Sequence, residues 1–243
     1  MKKIFICQSN YIPWRGYFDA INSVDEFIVY DQAQYTKNDW RNRNKIRTAE
    51  GELWLTIPVA VKNRLYQKIN EVKISNPNWA IKHWKSIENN YSKSPFFKLY
   101  SQDFKNLYLN ETYTYLTEVN YSFLKLICAI LNIKTKITYS LNFPLEGEDK
   151  TERIINICKN VNATDYYSGP SAEAYLKKIR FDEENIKLHY FDYSNYKPYS
   201  QLHEPFINNL SILDLLFNEG PNSQKYFLGE TYSPSLNADD KQK

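Results

Sequence analysis

At 243 residues, 42% hydrophobic and 24% charged, the chain has the make-up of a protein that buries a core. This excludes a largely disordered polypeptide, a collagen-like repeat and a minimal disulfide scaffold. The net charge of +3 is too mild to argue for RNA binding by itself, and no run approaches the roughly 18 apolar residues of a spanning helix.

In chain order, Lys3–Gln8 reads as a strand running into a polar, proline-containing loop. Its apolar run of four residues, Ile4–Cys7, is too short for a secretory signal. Tyr17–Val24 reads as a short helix and Glu26–Tyr30 as a second strand ending at Asp31. A basic loop follows, then strands at Asn44–Arg47 and Leu53–Val61 joined by a turn at Gly51, and a further strand at Ile69–Ile74. After Asn76-Pro77 the period changes. Trp79, His83, Ile87 and Tyr91 recur at four-residue spacing, a second helix covers Phe96–Tyr108, and Leu116, Val119, Phe123, Ile127 and Ile130 form the stripe of a third over Tyr115–Leu131. Strand Lys136–Leu141 follows, then a helix from Asp149 to Val161 opened by Asp149 and Glu152 as a capping box. Asp165–Ser168 is a strand end entering Gly169-Pro170-Ser171, and Ile186–Asp192 is another strand. Ser211-x-x-Asp214 reads as the cap of a last helix stopped near Gly220. The pattern predicts an α/β fold, a mixed sheet of short strands with a helical insertion around 77–131. One domain would span 1–232, with residues 233–243 as a disordered tail. Cys7, Cys128 and Cys158, far apart and without a Cys-x-x-Cys, read as reduced core thiols of a cytoplasmic protein with no membrane anchor.

The charge is unevenly placed. Residues 1–64 hold ten Lys/Arg against seven Asp/Glu, all five tryptophans precede residue 85, and so do five of the seven arginines. Lys37, Arg41, Arg43, Lys45 and Arg47 face the single acid Asp39 in residues 35–47, interleaved with Tyr35 and Trp40. Arginine forks with Trp40 and Asn42 beside them suit a diphosphate and a base, although a run of this kind is as often a solvated loop. Gln8, Asn10, Tyr11 and Trp14 follow the first strand, and Asp31 and Gln34 follow the second. Two polar clusters at carboxyl ends of strands mark a ligand edge in α/β sheets. Ser168 and Gly169 before a helix start would aim backbone N–H groups at an anion. His83 and Asp31 are the candidate general bases, although a half-buried structural histidine is as well supported for His83. No Cys/His spacing points to a metal, no cofactor motif is present, and the sequence lacks GxSxG, Walker A and GxGxxG signatures.

The segments QSNYIPWRGYFDAI, EFIVYDQAQYTKNDWRNRNKI, WAIKHWKSIENNYSKSPFF, DYYSGPSAEAYL and SILDLLFNEGP together resemble the WbqC-like protein family over about residues 4–221. Ser9 stands where that family's opening motif has proline, a departure that would loosen the first turn. The resemblance implies a role in bacterial surface-polysaccharide (O-antigen) biosynthesis, with transfer of glycine to an amino sugar. Joined to the residues above, it gives an N-acyl transferase acting on a nucleotide-linked amino sugar, its donor an aminoacyl-tRNA, a carrier-protein thioester or an adenylate. The alternatives are a non-catalytic module that holds a glycan precursor or pathway enzyme, and a tRNA- or RNA-binding protein.

Overall fold

A computed structural model describes residues 1–229 apart from 63, 65, 145 and 148, together with the backbone of 232–234. Five parallel strands and one antiparallel strand form a sheet: β1 (Lys3–Cys7), β2 (Glu26–Val29), β5 (Lys136–Tyr139), β6 (Asp165–Ser168), β7 (Lys187–Phe191) and β8 (Tyr232–Pro234), in the order β5-β2-β1-β6-β7-β8. A separate antiparallel hairpin pairs β3 (Arg43–Thr48) with β4 (Gly51–Thr56), Lys45 opposite Trp54. The chain moves outward from β1 through β2 to β5, then returns to the far side of β1 at β6. Neighbouring connections therefore diverge at the carboxyl ends of β1 and β6, where a crevice opens in sheets of this winding.

The sheet is covered on both faces, which is why β1 is an unbroken apolar run rather than an alternating one. Phe5, Phe27 and Val29 pack with α1 (Arg15–Asn22) and with the helices α2 (Trp79–Tyr91), α3 (Phe97–Leu109), α4 (Leu116–Ile130) and α7 (Ile212–Glu219). Ile4, Ile6 and Ile28 face α5 (Lys150–Asn160) and α6 (Lys178–Glu183). The inserted helices occur where the apolar period predicts them, between the hairpin and β5.

Several local expectations change. β4 ends at Thr56, because Pro58 has no N–H to continue a ladder. Ile69–Glu71 is a 3-10 turn rather than a strand, and only isolated antiparallel bridges flank it, Lys68 with Gln34, Lys73 with Tyr115 and Ile74 with Val59. Asp149 does cap α5, accepting from Glu152 N, but the Glu152 carboxylate turns to Arg180, so only half of the expected box forms. At α7 the Ser211 hydroxyl accepts from Leu213 N. Asp214 is no part of that cap: it is fully buried and accepts from Tyr91, Tyr199 and Gln201. Ser233 and Pro234, expected to begin a disordered tail, pair with Tyr190 and His189 at the open edge of β7, and residues 235–243 lie outside the described residues.

Candidate functional site

A cavity of about 590 Å³ opens at the diverging ends of β1 and β6. Cys7, Gln8 and Ser168 line it at the ends of these strands, and Asn10 and Trp14 contribute from the loop that follows β1. Gln32, Gln34, Thr36 and Asp39 come from the segment after β2, and Lys150 and Arg153 from the first turn of α5. Gly169, Ser171 and Tyr175 follow β6, and Tyr193 follows β7.

The loop after β1 is held tightly. Ser9 donates through its backbone N–H and its hydroxyl to Asp31, at 2.8 and 2.7 Å. A proline has neither donor, so the serine does not loosen the turn; it ties the loop to the end of β2. Thr117 adds a third donor to Asp31 at 2.6 Å. Ile12 adopts φ 38, a left-handed conformation that is costly for a β-branched residue. The Asn44 amide fixes it there by donating to the carbonyls of Tyr11 and Ile12. Next in the chain, the indole of Trp14 lies against Gly16, where any Cβ would collide with it, and meets Tyr193 and Tyr196 edge to face.

Asp39 accepts from the Thr36 hydroxyl at 2.6 Å and from Trp40 N at 2.7 Å, with the Arg41 guanidinium at 3.8 Å. Burial would raise its pKa, but Thr36, Arg41 and the Trp40 amide outweigh this and hold the carboxyl below its usual range. Asn38 turns the chain beside it at φ 59, which asparagine tolerates. Across the cavity's basic part, Lys150 sits over the Tyr175 ring at 4.8 Å and Arg153 Nε donates to Gly147 O. The Cys7 thiol is pushed up by burial despite the pull of Arg41, so it stays protonated at neutral pH and is a poor nucleophile.

Of the residues singled out in the sequence, Gln8, Asn10, Trp14, Gln34, Ser168 and Gly169 meet in this one cavity. The others diverge. Asp31 is buried, its carboxylate filled by the donors from Ser9 and Thr117. His83 is 6% exposed, outside the cavity, among Trp79, Tyr11 and Tyr108. Its Nε2–H donates to Thr56 O at 3.2 Å, which leaves Nδ1 to accept from Tyr11 at 2.9 Å, and burial lowers its pKa to about 4. Tyr11 is buried with it, and Asn42 is buried with its amide on Ile57 O. Arg41 reaches the rim by bonding Asn10. Arg43 turns away to Asn38 O and the Trp54 ring, Arg47 is buried on Pro205 O, and Lys37 is exposed. Trp40, 43% exposed, leans on Trp54 with the ring planes tilted by 31°.

Lys150 and Arg153 escape a reading of the sequence because no local motif joins them to Gln8. One signal was available. Lys150 and Arg153 stand three residues apart at a helix start, where the dipole favours acids, but Asp149 and Glu152 of the same turn offset them and mute the signal. Asp39 was visible as the lone acid of the basic loop. Among the described residues no group of three or more His, Cys, Asp or Glu is placed to hold a metal ion, and no helix is long and apolar enough to cross a membrane.

The model of the WbqC-like protein family matches residues 8–226. The uncharacterised protein Rv1507c of Mycobacterium tuberculosis (strain ATCC 25618 / H37Rv) is 48% identical over 226 residues, 93% of this chain and 97% of that protein. No solved structure matches. The chain belongs to the WbqC-like family.

Proposed function

We propose that this member of the WbqC-like family binds a nucleotide-linked amino sugar in the cavity between β1 and β6 and acylates its amine. Glycine is the acyl group that the family resemblance implies, in the assembly of a bacterial surface polysaccharide such as O-antigen. The observation that carries the reading is the charge layout of a single cavity: Lys150 and Arg153 from α5, and the ionised Asp39 from the segment after β2. A ligand with a diphosphate at one end and an amine at the other complements both. The amides of Gln8, Gln32 and Gln34 and the hydroxyls of Ser168 and Ser171 supply donors and acceptors for sugar hydroxyls between them.

In this reading Lys150 and Arg153 hold the phosphates, and Asp39 replaces His83 and Asp31 as the group that faces the amine. The ammonium gives its proton to Asp39, and the neutral nitrogen attacks the glycyl carbonyl. The new C–N bond forms as the bond from that carbon to the carrier breaks; the carrier leaves with the electron pair and takes up the second proton that the nitrogen sheds on becoming an amide. The depressed pKa of Asp39 suits it to hold the ammonium, so closure of the donor over the site must supply much of the drive for proton transfer.

The test supplies a 4-amino-4,6-dideoxyhexose nucleotide with glycyl-tRNA, a glycyl thioester or glycyl adenylate, and reads the product by mass spectrometry. One donor should give a product heavier by one glycyl residue, and the 4-hydroxy sugar nucleotide should give none. Asp39→Asn should lower turnover by roughly 10²–10⁴-fold. Equal binding of both sugars with no product from any donor would reduce the protein to a binding module.

A further inference from the structure

A second, smaller cavity of about 270 Å³ lies beside the first and shares Asn10 and Trp14 with it. Its remaining lining is Pro13, Trp40, Asn44 and Asn209, and its surface is mainly apolar. The two tryptophans differ in how they are held. Trp14 is immobilised between Gly16, Tyr193 and Tyr196 and stands as the partition between the cavities. Trp40 is supported from behind by Trp54, ring centroids 5.5 Å apart, and Trp54 is in turn covered by the Arg43 guanidinium at 4.4 Å. An indole so supported loses little freedom when a second ring lies on it, while 43% of the residue remains open.

We infer that this smaller cavity is a ring subsite that receives the nucleobase of the ligand whose phosphates and sugar occupy the larger one. The inference rests on the proposed nucleotide-linked substrate and adds where its base goes. Three observations carry it. The two cavities meet at Asn10 and Trp14, so one extended molecule reaches both. The larger cavity carries the cations and is mostly polar, while the smaller has no cation, is mainly apolar and presents the open Trp40 face, the division that a nucleotide sugar itself has. The Asn10 side chain is oriented by Arg41, which places an amide at the junction, where a ribose hydroxyl would pass. Stacking on tryptophan tolerates different bases, because each presents a π-face. The subsite therefore adds affinity for a nucleoside diphosphate over a bare diphosphate while discriminating weakly among bases.

Calorimetry with the full chain can separate this subsite from the phosphate site. The probes are UDP, dTDP, ADP and GDP, with inorganic pyrophosphate as the ligand that lacks a ring. At least one nucleoside diphosphate should bind more tightly than pyrophosphate. Trp40→Ala should weaken that nucleotide by about 5- to 100-fold, the span of base–aromatic stacking. The same variant should leave pyrophosphate affinity unchanged, and Trp40→Phe should recover part of the loss. Pyrophosphate binding with no gain from any nucleoside, or a gain that survives Trp40→Ala, overturns the ring subsite and leaves the acylation reading standing. No binding of any diphosphate removes both. Nucleotide binding that depends on Trp40, in a protein that acylates nothing, keeps the subsite and discards the transferase.

Discussion

The cavity between β1 and β6 and the polar centre beneath α2 and α7 are built from the same kinds of side chain, yet they spend them differently. Under α2 and α7 a group of buried and part-buried polar side chains turns inward. Asp214 receives Tyr91, Tyr199 and Gln201 at 2.9, 2.7 and 2.8 Å, Tyr91 accepts from Arg47 N, and both nitrogens of His83 are used. In the cavity, Lys150, Arg153 and Ser171 line open space. Buried polar groups that satisfy one another fix the packing of elements distant in sequence, whereas groups that line an open cavity are available to a ligand. By that criterion His83 belongs to the architecture; Asp31, its carboxylate taken up by Ser9 and Thr117, lines a different cavity with Tyr121 and Tyr139, and Asp39, Lys150 and Arg153 line the one between β1 and β6.

Breaking the inward network should cost the most. Asp214→Ala removes the acceptor of the buried Tyr91 hydroxyl and of the part-buried Tyr199 hydroxyl, while Gln201 keeps Ile207 O, and should destabilise the fold by about 2–4 kcal/mol, read as a lower urea midpoint. A loss of under about 1 kcal/mol would mean that the network is not what holds α7 to α2. His83 sharpens the same side through pH. Burial lowers its pKa from 6.5 to about 4, so the folded state keeps it neutral while the unfolded chain takes up a proton below 6.5. Stability from this group is complete above pH 6.5, falls as pH drops towards 4, and levels off below; the span is roughly 3 kcal/mol. Its ring neighbours Trp79, Tyr11 and Tyr108 carry no charge in that window. His83→Phe should be less stable at pH 7 and should lack this fall when urea curves are compared across pH. A parallel fall in the variant would assign it to other groups.

The cavity side should respond in the opposite manner. Lys150→Ala and Arg153→Ala should each weaken binding of a nucleotide sugar by about 10- to 100-fold, as charge-assisted contacts do, with little change in the urea midpoint. Lys37→Ala, exposed and outside the cavity, should leave affinity unchanged. Equal losses at all three positions would indicate a diffuse electrostatic effect rather than a site.

Much of the fold is legible from the sequence because it is local. The four-residue spacing of Trp79, His83, Ile87 and Tyr91, the stripe on α4 and the cap at Asp149 depend on near neighbours. The order of the sheet does not. β1 joins β6 across some 160 residues, with Phe5 opposite Tyr167, and nothing in either segment names its partner. The site divides in the same way. Gln8, Asn10, Trp14 and Gln34 follow strands, and a strand end is readable; Lys150 and Arg153 reach them only through the sheet order. Asp214 sits three residues after Ser211, the spacing of a cap, and only the approach of Tyr91 and Tyr199 shows its other role. The arginines of the basic loop share a short stretch of chain, but the turn at Asn38 and the hairpin after it send Arg41, Arg43 and Arg47 in three directions.

The most direct test of the account is a crystal structure of the chain with a non-hydrolysable nucleotide-linked 4-amino sugar. The account predicts the diphosphate against Lys150 and Arg153, the amine within hydrogen-bonding distance of the Asp39 carboxylate, and the base on Trp40. A ligand bound through Arg43 and Lys37 on the outer face of the loop, with the cavity between β1 and β6 left to solvent, would contradict it.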